Sequence, residues 1–184
     1  MGEVSKTEML IEAEDFDDYG GWLLDAQFDH EMGSPYLLAH GYGRPVANAS
    51  TTVQIAETAS YEVWVRCKDW VPSDHPGRFR VSLGDTALDH EFGASGRDWS
   101  WEHAGSADLA EGALTVALHD LTGFDARCDA IYLSRNGQQP VDGGGPDARA
   151  WRRRLRGIPD EPPIKGPYDV VFVGGGVTGS VGAL

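Results

Sequence analysis

From Met9 to about Arg135, apolar and polar positions alternate with a period of two, the pattern of strands that bury one face and wet the other. Met9-Leu-Ile-Glu-Ala-Glu-Asp-Phe16 predicts the first strand. Ala49–Ile55 follows, with Ala49, Thr51, Val53 and Ile55 on one face. Residues 61–67 turn Tyr61, Val63, Val65 and Cys67 inward and Glu62, Trp64 and Arg66 outward. Phe79–Leu83 and residues 114–118 and 130–133 complete the set. Turn signals separate these runs at Gly20-Gly21, Gly41-Tyr-Gly43, residues 72–77, Gly84-Asp85, residues 93–96 and Gly123. Short alternating strands with no long amphipathic helix between them predict an all-β domain over residues 9–135, an antiparallel β-sandwich of jelly-roll type.

After Asn136 the pattern changes. Gly143-Gly-Gly-Pro146 reads as a flexible break, and Pro159, Pro162, Pro163 and Pro167 as a stiff lead-in, so residues 136–167 are expected to connect two units. Within this connector the spacing predicts a short basic helix over 147–156. Ala148, Trp151 and Leu155 share its apolar face, Asp147 is placed to cap it and Gly157 to end it. Trp151 is expected to dock on a neighbour. Residues 168–184 then run from an apolar segment, Val170-Val-Phe-Val173, into Gly174-Gly175-Gly176-Val-Thr-Gly179. A strand followed by GxGxxG and a helix start is the fingerprint of a dinucleotide-binding βαβ unit. Its glycines permit the tight turn, the approach of backbone amides to a pyrophosphate and close helix–strand packing, and the helix N-terminus favours the phosphates. A complete βαβ unit needs about 30 residues or more, so residues 168–184 are expected to be the truncated start of a domain belonging to a longer chain.

Charge narrows the partners. The net charge is −14, and residues 1–140 hold 24 of the 29 acidic residues but 9 of the 15 basic ones. An acidic body disfavours nucleic acid and anionic membranes. Nor does any apolar run approach the roughly 18 residues of a membrane span. The polar start Met-Gly-Glu-Val-Ser-Lys lacks the pattern of a signal peptide, which favours the cytoplasm. The arginines at 149, 152, 153, 154 and 156 form a small basic cluster that suits either a solvated helix face or a contact to an acidic surface. Cys67 and Cys128 are far apart in sequence and outside any CxxC pattern, as expected of buried free thiols, with a disulfide as the alternative.

Two constellations carry candidate chemistry. Glu12 and Glu14 are two residues apart; on one strand they would share a face about 6.5–7 Å apart. Asp129, opening the last predicted strand, becomes a third carboxylate if that strand pairs with the first. Such a set suits a calcium ion, which takes six to eight oxygens; it equally suits the wet face of an edge strand. Trp22, Tyr42, Trp70, Trp99 and Trp101 lie in or beside predicted loops. Exposed aromatic rings there can stack on a sugar, and buried ones can plug the ends of a sandwich or dock it on a second domain. Six histidines are scattered without HxH or HExxH spacing, and no GxSxG occurs, which argues against hydrolytic catalysis.

Ile11-Glu-Ala-Glu-Asp15, Tyr61-Glu-Val-Trp-Val-Arg66 and Cys128-Asp-Ala-Ile-Tyr-Leu133 resemble the galactose-binding-like β-sandwich, and more narrowly the family 6 and family 35 carbohydrate-binding modules. That resemblance covers most of residues 9–135. It implies a structural calcium ion on Glu12, Glu14 and Asp129 and a glycan as possible ligand. The loop aromatics have no clear match to the modules' sugar-binding residues, so sugar binding at them stays open against domain docking. Tyr168-Asp-Val-Val-Phe-Val-Gly-Gly-Gly-Val-Thr-Gly resembles the first strand and turn of FAD-dependent oxidoreductases with two dinucleotide-binding folds. This second resemblance implies FAD at Gly174, Gly175, Gly176 and Gly179, and a downstream FAD domain as the sandwich's partner. The leading expectation is therefore a non-catalytic N-terminal fragment of an FAD-dependent oxidoreductase carrying an accessory β-sandwich. The alternatives are a calcium-stabilised carbohydrate-binding module and a ligand-free docking domain.

Overall fold

The computed structural model describes residues 7–159, 161 and 163–171. Its strands are β1 (Glu8–Glu12), β2 (Leu23–Asp25), β3 (Tyr36–His40), β4 (Ala49–Ile55) and β5 (Ala59–Cys67), followed by β6 (Phe79–Leu83), β7 (Thr86–Ala87), β8 (Ser100–Leu109), β9 (Gly112–Asp120) and β10 (Phe124–Ser134). Two helices accompany them, α1 (Asp29–Met32) and α2 (Pro146–Leu155). The larger sheet has the order β2-β3-β10-β5-β8, with β1 also on β10; the smaller has the order β4-β9-β6-β7. All pairings are antiparallel.

The alternating positions meet between the sheets as predicted. Val63, Val65, Ile131 and Leu133 from the larger sheet face Phe79, Val81, Val116 and Leu118 from the smaller, all but free of solvent. Each such side chain contributes roughly 1.5–3 kcal/mol on leaving water. Cys67 and Cys128 lie opposite each other across β5 and β10, both buried and free. Burial pushes both thiols well above their ordinary range.

The first strand is shorter than its alternation suggests. β1 ends at Glu12, and Ala13–Asp15 turn into a 3-10 helix. Phe16 N–H closes that turn on the Ala13 carbonyl at 3.2 Å, and the Tyr19 hydroxyl donates to the Glu14 carbonyl at 2.5 Å. Glu12 and Glu14 therefore do not sit on one strand face.

The outer face of the larger sheet is dry where α2 lies across Ala130, Tyr132 and Trp101, and stays wet at Glu62 and His103. Ala148, Trp151 and Leu155, the three residues of its expected apolar face, are all buried. The Trp151 ring centroid lies 5.2 Å from that of Tyr132 and 6.0 Å from that of Trp101. Arg66, which the alternation turns outward, is 2 % exposed beneath this cover. The helix starts at Pro146, with Gly145 at the capping position and no side-chain cap. Asp147 sits in the first turn instead of capping, where its charge suits the helix dipole. Gly157 ends the helix in the left-handed region at φ 65°, with Ile158 N–H returning to the Arg153 carbonyl at 2.9 Å.

Candidate functional site: a carboxylate cluster and an aromatic loop end

β10 has two partners along one edge. β3 pairs with it as far as Cys128, and β1 begins at Ala130. Asp129 falls in the gap between them. On the other edge the register to β5 also shifts between Cys128 and Ala130, so Asp129 is the extra residue of a bulge. The bulge aims its carboxylate at the end of β1 and the turn that follows. There the ligand atoms of Glu12, Glu14 and Asp129 all lie within 4.8 Å of one another. The three predicted carboxylates are thus brought together, by a turn and a bulge and not by a shared strand face.

The cluster is nearly dry. Asp129 is fully buried and Glu12 is 2 % exposed. Burial pushes the Glu12 carboxyl up to about 7, against the pull of the Arg152 guanidinium. Burial, reinforced by the neighbouring Glu12 charge, pushes Glu14 up to about 8. Arg152 reaches in from α2: its Nη1 donates to Glu12 Oε2 and to Ser34 Oγ, both at 2.9 Å, and its Nη2 pairs with Asp129. Arg66 Nη1 donates to Asp129 Oδ2 at 3.1 Å, and Ser34 Oγ donates to Asp129 Oδ1 at 2.9 Å. Glu14 Oε2 is buried without a hydrogen-bond partner among the described residues.

The donor set fits calcium in kind and spacing. Calcium takes oxygens at about 2.3–2.6 Å, so opposite ligands lie about 5 Å apart, and three carboxylates offer up to six oxygens. Glu14 Oε2, one of these six, has no hydrogen bond to give up among the described residues.

The predicted aromatics divide. Trp22 is 2 % exposed, its ring edge-on to Phe79 at 5.7 Å, because the chain after Gly20-Gly21 folds it into the core between the sheets. Trp101 is 8 % exposed beneath α2, with its indole N–H on the Val141 carbonyl at 3.2 Å. Neither ring offers a face to a sugar; both follow the other reading of the sequence, in which buried rings plug or dock the sandwich. Trp99 is half-buried, leaning on Tyr36 at 4.8 Å and Phe28 at 6.0 Å.

Tyr42 and Trp70 remain, and the fold brings them together. The Trp70 indole N–H donates to the Phe124 carbonyl at 3.0 Å, and the Arg127 guanidinium lies 5.1 Å over the Trp70 ring. Arg127 also donates to the Asp125 carbonyl at 2.9 Å. His40 pairs with Asp125, and its ring lies 4.4 Å from that of Tyr42. Gly43 packs against the Phe124 ring so closely that a Cβ there would lie 2.9 Å away. Tyr42 is 85 % exposed and Phe124 51 %. Phe124, which the strand pattern passed over, follows Gly123 and opens β10; an apolar residue directly after a turn glycine was its signal.

The same loop end carries the backbone strain. Tyr42, Asp125 and His75, with φ of 52°, 61° and 47°, are the non-glycine residues in the left-handed region among those described. Gly77, two residues after His75, lies against the Asp125 carbonyl. The buried Asp69 carboxylate anchors the segment, accepting from His75 Nδ1 at 2.5 Å and Gly96 N–H at 2.8 Å. Side chains held this way cost about 1–3 kcal/mol each and collect at ligand sites. Gly174, Gly175, Gly176 and Gly179 lie outside the described residues.

No family model matches the chain, and no curated protein matches it. Solved structures do. The chain is similar to a family 35 carbohydrate-binding module from Clostridium thermocellum, at 18 % identity and a TM-score of 0.55, over 69 % of this chain and 97 % of that one. It is similar to the C-terminal CBM6 of LamC, a marine laminarinase of Zobellia galactanivorans, at 15 % identity and a TM-score of 0.53, over 70 % and 99 %. A GH26-CBM35 β-(1,4)-mannanase of Podospora anserina matches at 21 % identity and a TM-score of 0.58, over 74 % of this chain and 29 % of that enzyme. The β-sandwich has the fold of family 6 and family 35 carbohydrate-binding modules.

Proposed function

We propose that this chain is a glycan-binding module that uses the loop end of its sandwich. The observation that carries this reading is the coincidence of three strained backbones with exposed Tyr42 and Phe124 and half-buried Trp70. Aromatic faces take the C–H side of a pyranose, while His40, Asp125 and Arg127 border them with hydrogen-bonding groups. The likeness to modules borne by a β-(1,4)-mannanase and a laminarinase makes β-linked glycans the first to try. Affinity electrophoresis through gels containing β-1,4-mannan, β-1,3-glucan or xylan tests it: retardation by at least one polysaccharide is expected. Unretarded migration through all three and through a wider glycan array would favour a ligand-free docking domain.

Calcium is proposed as a structural ion of the module, held by Glu12, Glu14 and Asp129. It would tie the end of β1 to β10 and take no part in catalysis. Calorimetric titration of chelator-treated protein with calcium reads this directly, and absence of a binding isotherm both in the wild type and in a variant lacking the Arg152 guanidinium would remove the ion from the account.

The sequence supports a second proposal, that the module precedes an FAD-binding domain of an oxidoreductase. It rests on the apolar run and Gly174-x-Gly176-x-x-Gly179. A polypeptide extended downstream should show bound-flavin absorbance; a colourless extended protein that takes up no FAD would end this reading.

A further inference from the structure

The arginine that closes the carboxylate cluster comes from outside the sandwich. Arg152 is 6 % exposed, and its guanidinium bonds are to Glu12 Oε2, the Asp129 carboxylate and Ser34 Oγ. Two of these three groups are carboxylates that a metal ion would need. A cation bound by all three carboxylates must sit among oxygens no more than 4.8 Å apart, within contact distance of the guanidinium now bonded to them. Unit charges at about 4 Å interact strongly even at an effective dielectric constant near 20, and a divalent ion doubles the repulsion.

The surroundings point the same way. A cavity of about 170 Å³ beside the cluster is lined by Glu12, Ser34, Arg149, Arg152, Arg153 and Arg156. A cation approaching by this route passes four arginine side chains. Helix α2 is also fastened to the same edge of the sheet by Arg154 on Glu8 at 3.4 Å and Arg156 on Asp15 at 2.9 Å. The helix therefore docks by placing one buried positive charge in the cluster and spreading others around it.

We propose that Arg152 and a divalent cation are alternative occupants of the Glu12–Glu14–Asp129 cluster, so that ion binding and the docking of α2 oppose each other. This rests on the calcium reading above and adds to it the residue that sets the ion's affinity. Linkage makes the effect reciprocal: whatever undocks α2 tightens the ion, and the ion loosens α2 by the same factor. The connector that carries α2 becomes a strap released by calcium.

The test compares the full chain with its Arg152→Gln variant by calcium titration after chelator treatment, and follows tryptic cleavage within residues 146–157. Calcium binding at least tenfold tighter in Arg152→Gln, together with faster cleavage of the wild-type helix when calcium is added, is the expected result. Leu155→Ala, which keeps Arg152 but loosens the helix, should also bind calcium more tightly and serves if Arg152→Gln does not fold. Equal or weaker calcium affinity in both variants, or a helix protected by calcium, overturns the competition while leaving the calcium site standing. No calcium binding by any of the proteins overturns both.

Discussion

The carboxylate cluster under α2 and the aromatic loop end are built from the same last strand, a few residues apart on β10, and they resolve their polar and aromatic groups in opposite ways. At the cluster, the chain supplies its own partners. Glu12 and Asp129 are buried, and Arg66, Arg152 and Ser34 meet them. The neighbouring aromatics Trp101 and Tyr132 of the sheet and Trp151 of α2 pack edge to face between sheet and helix. At the loop end, rings are left with faces toward solvent, and the backbones that hold them are strained. One region has spent its interactions on stability and the other keeps them available. Aromatic content alone would not separate the two; what lies over the rings does.

This contrast can be broken by mutation, and the largest effect belongs to the cluster. Asp129→Ala leaves Arg66 and Arg152 buried without their shared carboxylate and should cost about 3–5 kcal/mol, read as a lower urea midpoint. A loss below about 1 kcal/mol would mean that water or other carboxylates already serve these arginines. Trp151→Ala removes the ring between Tyr132 and Trp101 and should cost about 3 kcal/mol. Unchanged stability there would show that α2 rests on the sheet without contributing to the fold.

At the loop end the expected signs differ. Tyr42→Gly relieves a left-handed backbone at φ 52° and removes an exposed ring. Its melting temperature should hold or rise, with a gain up to about 1 kcal/mol, while glycan binding weakens. A clear destabilisation would place Tyr42 among the structural residues. Phe124→Ala is the smallest effect on stability, within about 1 kcal/mol for a half-exposed side chain, and glycan affinity is again the sensitive readout.

Much of this architecture was legible in the sequence. Alternation over residues 49–55, 61–67 and 79–83 gave strands whose inward faces meet in the core, and the 3.6-residue spacing of Ala148, Trp151 and Leu155 gave α2 and its buried face. Glu12, Glu14 and Asp129 were legible as a set only through the expected pairing of the first and last strands; the geometry that unites them was not. A 3-10 turn after Glu12 and a bulge at Asp129 leave little trace in a period-two pattern, because each shifts the phase by a residue. The burial of Trp22 and Trp101 was hidden for a different reason. A tryptophan beside a glycine turn looks the same in sequence whether its ring folds inward or out, and the cover over Trp101 comes from a helix 45 or more residues downstream. Arg152 carries the same lesson. Its cluster was readable as a contact to an acidic surface, but its choice of the buried carboxylates depends on tertiary register.

The central claim is that the loop end, and not the covered sheet face, takes a ligand. Isothermal titration of a retained oligosaccharide into wild-type protein and Trp70→Ala tests it most directly, with the melting temperature of each measured in parallel. The account predicts an affinity at least tenfold weaker in Trp70→Ala, with cooperative unfolding kept at a melting temperature lowered by the loss of a half-buried ring. Binding of equal strength in the two proteins would contradict it.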